Sequence, residues 1–278
     1  MSYLTNPYRF GNGFIVATGG TITIDDTNFK VHKFTSVGGA TFEITSGSGD
    51  VEYLVLGGGA GAGSNNGGGG GAGAFRTATK SDMGVGSYTV TVGAGSAGTQ
   101  ATAPYPNPDN GADSVFDDIT ANGGGYGGTS DTNDGGNSVN GSGGGGAYKA
   151  NGGTGGAYGN DGSDGYEAPS YGGGAGGGAG TAGTDATSSN AGIGGDGLVS
   201  DIIVDGSDVT YCGGGGGSKN TGTAGSGGSG GGGDGGAEAD GDDATGFGSG
   251  GGGGSGGGTH GGDGSDGLVV LRYQFQES

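Results

Sequence analysis

The chain of 278 residues contains no tryptophan, one cysteine and five prolines. The lone Cys212 rules out an intrachain disulfide and a thiolate metal cluster. So few prolines rule out a collagen-like chain, which needs them in abundance. Positive charge is scarce too: 8 Lys and Arg stand against 28 Asp and Glu, a net charge of −20. That sign is wrong for phosphate backbones and anionic lipid, so neither nucleic acid nor a membrane surface is an expected partner. A solvated, aggregation-resistant acidic surface is the simplest reading. No run of 18 apolar residues exists, and Met1 to Phe10 lack the basic and apolar regions of a signal peptide. Synthesis in the cytoplasm without a signal peptide, and no membrane insertion, are therefore expected. With only 28% apolar residues, the hydrophobic effect has little surface to act on.

Glycine fills the gap. Of 87 glycines, 62 lie between Ala121 and Gly267. In places they return at every third position, as at Gly153, Gly156, Gly159, Gly162 and Gly165, and at Gly222, Gly225, Gly228 and Gly231. A period of three is the repeat of the left-handed polyproline II helix, which makes no internal hydrogen bonds and leaves its N–H and C=O groups pointing outward. Bare backbones can approach one another closely enough to supply the partners. Gly- and Ser-rich sequence more often serves as a flexible linker. What speaks against that here is the set of apolar, strand-like segments that interrupt the glycine runs.

Those segments include Phe14–Val16, Thr21–Ile24, Phe29–Thr35, Thr41–Thr45, Val51–Leu56, Ala74–Thr79 and Tyr88–Val92. Val115-Phe116 with Ile119, Ile202–Val204, Val209–Cys212 and the strongly apolar Leu268–Leu271 continue the series. Alternation around Phe42 and Ile44 marks one buried face, whereas Val51–Leu56 is apolar on both faces and reads as a central strand. No window carries a 3.6-residue period, so essentially no α-helix is expected. The predicted fold is all-β: a small β-sandwich framing a bundle of polyglycine II rods. Residues 1–13 form an attachment arm, 14–95 the framework with the first glycine segment, and 96–267 the bundle with tip loops. Residues 268–278 supply the closing strand and C-terminus, with 268–275 completing the sandwich. Asp109–Gly111, Asp161–Tyr166 and Glu238–Asp243 are expected to be turns between rods.

Catalysis lacks parts. His32 sits in a strand beside Lys33 and His260 in a glycine rod, neither within a recognisable nucleophile–base motif, so no enzymatic activity is expected. Gly123–Gly128 is followed by no Gly-Lys-Ser/Thr and no helix, which removes a phosphate loop. Gly261–Val269 fits one calcium-binding nonapeptide, but a single copy cannot build a site made between adjacent repeats. Asp161 with Asp164, and Glu238 with Asp240, Asp242 and Asp243, could offer hard oxygens to Ca²⁺, yet turn carboxylates are more often simply solvated. No cofactor is expected.

Ala17–Gly20, Lys30–Thr35, Val51–Leu56 running into glycines, Tyr88–Gly95 and Gly267–Tyr273 occur in an order that resembles the glycine-rich domain of tailed-bacteriophage structural and fibre proteins. The resemblance spans about residue 14 to residue 275. In architecture the chain is also similar to the distal adhesins of phage long tail fibres, whose sandwiched polyglycine II helices carry host-recognising loops at their ends. It departs from them in having a short arm, with Tyr3, Tyr8 and Phe10, where they have an attachment domain of their own.

The resemblance implies a non-enzymatic virion protein at a tail-fibre tip. It would attach to other tail or fibre proteins through its N-terminal region, with homo-oligomers possible, and bind a host outer-surface protein or glycan. Turn-associated residues are then candidate contacts: Tyr105, Asn107, Asp109, Tyr126, Tyr148, Tyr158, Asn160, Asp161, Tyr166 and Tyr171. Aromatics there also suit a purely structural task, capping the exposed end of a side-chain-free lattice. Two other functions stay open: a structural capsid fibre or decoration, and an ice-binding protein, for which Thr154, Thr181 and Thr184 are a sparse array.

Overall fold

The structure, a computed structural model, describes residues 13–25, 28–100, 104–130, 133–168, 170–202, 208–256 and 258–275. Among them are no helices, hence none long and apolar enough to cross a membrane, and twelve strands. In order they are β1 (Val16–Thr18), β2 (Thr21–Asp25), β3 (Phe29–Phe34), β4 (Gly38–Ser46), β5 (Gly49–Leu56) and β6 (Phe75–Met83). Then come β7 (Gly86–Val92), β8 (Ser114–Phe116), β9 (Ile119–Ala121), β10 (Leu198–Ser200), β11 (Val209–Tyr211) and β12 (Leu268–Gln274).

Two five-stranded antiparallel sheets, β1-β4-β7-β8-β9 and β2-β3-β12-β5-β6, form the sandwich. The terminal apolar run is a central strand, as its sequence predicts: β12 lies between β3 and β5. Side chains on β5 and β12 alternate between two cores, which is why both strands are apolar on both faces. Val51, Tyr53, Val55, Val269, Leu271 and Tyr273 meet Phe42, Ile44, Val90 and Phe116 of the opposing sheet. On the outer face, Leu54, Leu56, Leu268 and Val270 pack with Val31, Phe75, Ile202, Tyr211 and Cys212.

Strands are not confined to residues 14–95 and 268–275. β8 and β9 complete the first sheet, and the hairpin of β10 and β11 contributes Tyr211 to the outer core. Where a strand was expected over Ile202–Val204, the pairing with β11 uses Leu198–Ser200 instead; this puts Ile202 in the turn, where it is buried in the outer core. Ile203 and Val204 lie outside the described residues.

Between the strands the chain runs out from the sandwich and back in threefold rods. Successive amides of the rod 67–74 donate in three directions, and each direction repeats after three residues. Gly67, Gly70 and Gly73 donate to Gly254, Gly251 and Gly248; Gly68, Gly71 and Ala74 donate to Gly128, Gly125 and Asn122; Gly69 and Ala72 donate to Gly174 and Gly177. Its carbonyls accept from three more rods, through Ser218 and Gly215, Gly63 and Ala60, and Gly145 and Ser142. The rod therefore has six neighbours, and none of the glycines from Gly57 to Gly73 has a left-handed φ. This is the hydrogen-bond geometry of polyglycine II helices packed hexagonally.

The lattice explains how glycine is distributed. Rods 57–63, 67–74, 213–218 and 249–254 are surrounded, so nearly every position must be Gly or Ala. A Cβ on Gly70, for example, would run into the carbonyl of Ala60. Rods at the surface need a bare backbone on their inward positions alone, and every third residue is free to carry a side chain, as at Asn151, Thr154 and Ala157. At about 3.1 Å per residue, a seven-residue rod spans roughly 20 Å.

Candidate functional site

Rod direction sorts the turns into two sets. β5 ends at Leu56 and β6 begins at Phe75, so the turn at 64–66 lies at the end of the bundle away from the sandwich. Hydrogen bonds gather the other distal turns around it: Ser130 N–H donates to Ser64 O, Tyr148 N–H to Asn66 O, and Glu238 N–H to Lys219 O. Gly13 and Phe275 lie at the opposite pole, where Gly13 O accepts from Ser48 and Phe275 N–H donates to Asn28 O.

The candidate residues divide accordingly. Tyr105, Asn107, Tyr148, Tyr166 and Tyr171 belong to the distal turns or the rod ends entering them. Tyr158 is at the other end of its rod, against the sandwich: its carbonyl accepts from Phe75 N–H and its ring lies 4.5 Å from the Arg76 guanidinium. Tyr126 is within a rod, its ring on Gly136. Tyr3, Tyr8 and Phe10 lie outside the described residues.

Three segments expected to be turns are largely rods, because their Asp and Asn side chains do something other than turn the chain. Asp161 and Asp164 accept from the amides of Gly155 and Gly152 at 2.7 and 2.8 Å. Asp240 and Asp243 accept from His260 and Asp263, while Asp263 and Asp266 accept from Gly98 and Gly95. Asn107, Asn110 and Asp113 accept from Thr129, Tyr126 and Gly123. Asn160 instead donates to the carbonyls of Gly178 and Ala179. Asp109 is exposed on the same stretch, its carbonyl accepting from Ser96 Oγ.

Acceptor and donor both recur at intervals of three. At the bundle surface one of the three amide directions has no neighbouring rod, and a carboxylate or amide on the flanking rod takes its place. Much of the negative charge is thus a lateral seam. Among the described residues no group of three or more His, Cys, Asp or Glu is arranged to hold a metal.

The distal pole is built around two pairs. Tyr148 (6% exposed) packs on Tyr171 (37% exposed) with ring centroids 4.7 Å apart and planes at 49°. Lys149 Nζ reaches Glu167 Oε1 at 2.8 Å and lies 5.1 Å from the Tyr148 ring. The hydrogen bond to Glu167, then that to Tyr148, holds the Lys149 ammonium above its ordinary pKa. Beneath this surface Lys219 is fully buried, donating to Ser170 Oγ at 3.1 Å and Thr187 O at 2.8 Å, and burial pushes its pKa down. One ammonium therefore ties together the turns at 166–171, 187–190 and 219–222. Sequence reasoning missed Lys219 in this role; its signal is a cation placed directly after Gly213–Ser218, in a body with one other lysine.

Backbone strain is concentrated here as well. Among the described residues ten non-glycine positions have positive φ, and seven are distal: Asn65, Asn66, Tyr105, Ser130, Lys149, Tyr171 and Glu238. Bulky residues pay for this conformation and glycine does not.

A family model described as a glycine-rich domain matches residues 35–274. The chain belongs to this glycine-rich domain family. The match takes in most of the sandwich, from the end of β3 to the end of β12, and the whole rod bundle. A search among curated proteins finds no match.

Proposed function

We propose that this glycine-rich domain protein is a non-enzymatic virion protein of a tailed bacteriophage, placed at a fibre tip and binding the host surface through its distal turns. The observation that carries the reading is the choice of residues there. In a chain with 87 glycines, left-handed positions at the distal pole are given to Tyr105, Lys149, Tyr171 and Glu238. Strained backbone that keeps its side chains is characteristic of functional surfaces. The polarity of the molecule supports the same reading, since Gly13 and Phe275 lie at the far end of the sandwich, where attachment to other tail proteins leaves the distal pole free. An ice-binding face is less well supported, because the hydroxyls of Thr181 and Thr184 already accept from the amides of Asp196 and Ile193.

Purified protein is expected to adsorb to susceptible bacteria and to compete with infection, and exchanging 148–150 and 166–171 for another sequence is expected to alter host range. Protein that neither adsorbs nor competes would overturn the proposal. Locating the chain on the capsid by microscopy of the particle would favour a structural fibre or decoration instead.

A further inference from the structure

We infer that the distal surface formed by Tyr148, Lys149, Glu167 and Tyr171 binds a glycan, with a sugar ring on the exposed part of Tyr171 and its hydroxyls bonded to Lys149 and Glu167. The inference rests on the adhesin reading and names the chemistry of the receptor.

Three observations carry it. Tyr171 is rigid before any ligand arrives, because Tyr148 backs its ring at 4.7 Å and Tyr148 is itself 6% exposed. A fixed aromatic with one open side costs little entropy to use and offers both an apolar face and a hydroxyl. A pyranose matches this with an apolar C–H face and a rim of hydroxyls.

The charge beside the ring is paired. Lys149 and Glu167 side chains are 41% and 68% exposed and bonded to each other. Together they present donors and acceptors with no net charge, which suits a neutral polyol better than an anion or cation.

The described residues of the pole also present little of what a protein receptor would need. Among the described residues, the other exposed large apolar side chains, from Phe14 and Val16 to Leu198 and Val199, lie on the sandwich or along the rods; Tyr171 alone is at the distal pole. A stable protein interface buries about 800 Å² per partner around aromatic and aliphatic anchors. Among the described residues the pole offers one strongly exposed ring, that of Tyr171, beside a paired charge.

The test compares the wild-type protein with Tyr171→Ala, Glu167→Gln and, as a control, Tyr158→Ala at the sandwich end. Each is applied to an array of bacterial surface oligosaccharides and to cells treated with periodate or with proteinase K. The expected result is array binding that Tyr171→Ala weakens about tenfold and Glu167→Gln also weakens, while Tyr158→Ala leaves it unchanged and the melting temperature of Tyr171→Ala stays near wild type. Periodate, not proteinase K, should abolish adsorption to cells. Adsorption that survives periodate and is lost to proteinase K would overturn the glycan and leave the adhesin standing. Glycan binding without adsorption to any cell would do the reverse. Binding to no glycan on the array, or equal loss in Tyr158→Ala, would also overturn the inference.

Discussion

The amide of Gly70 donates to the carbonyl of Gly251 at 2.9 Å, across 181 residues of sequence, while its own carbonyl accepts from Gly215. No side chain takes part, and the contact exists because none is present.

Gly70→Ala should therefore cost about 2–3 kcal/mol, the overpacking range, because the new methyl meets the carbonyl of Ala60 and nothing flexible can yield. Gly39→Ala, in β4 with nothing within 4 Å of the added carbon, should be neutral or slightly stabilising. Denaturant melts of the two variants check the contrast; equal stabilities would contradict the lattice.

The seam predicts a difference between removing a charge and removing an acceptor. Asp263→Ala strips the partner from Gly98 N–H, a bond of 2.7 Å, and should cost about 1 kcal/mol with faster amide exchange at Gly98. Asp263→Asn keeps an oxygen in place and should cost much less. Exchange at Gly98 that is unchanged in the alanine variant would show that the carboxylate is merely solvated.

His32 makes the sandwich sensitive to mild acid. Its Nδ1 lies 2.7 Å from Gly19 O, which can only accept, so Nδ1 carries the proton and Nε2 accepts from the Tyr273 hydroxyl at 3.1 Å. Burial, together with the Lys30 charge and against the Gly19 bond, holds its pKa below the ordinary 6.5. The unfolded chain then binds a proton before the folded one, so stability is complete above pH 6.5 and declines as pH falls below it. Asp196, held below 3.8 by the Ser229 amide, adds a second loss in stronger acid. Melting temperature against pH should fall in both windows, and His32→Gln should flatten the upper one.

Cys212 reports opening of the molecule. Its thiol is fully buried at the junction of β11 and a central rod, and burial pushes its pKa far up. Labelling with a thiol reagent should be far slower in the folded protein than in the unfolded chain, levelling off at the rate of unfolding once the reagent is concentrated enough to outpace reclosing. A rate in native buffer equal to that of the urea-unfolded chain would place the thiol at an open surface.

Much of this arrangement was legible before folding was considered. Period-three glycine announces rods, and β12 announces itself through four consecutive apolar residues. The seams were not legible, because Asp-Gly and Asn-Gly pairs have the same composition whether they turn a chain or cap a neighbour's amide. Only the rod partners distinguish the two at Asp161 and Asp240. The position of Tyr158 at the sandwich end is illegible for a related reason: a turn signal does not say which end of a bundle it occupies. The burial of Lys219 is equally illegible, since it depends on three turns that are separate in sequence.

The position of β12 has a consequence for biosynthesis. The strand that holds β3 and β5 together is residues 268–274, and the innermost rods wait on partners as late as 262–265. The sheet that contains β12 and the central rods cannot be completed before those residues have been added. Pairings this distant in sequence make for slow folding of the nascent chain. Its heavy negative charge keeps it apart from other chains during that interval.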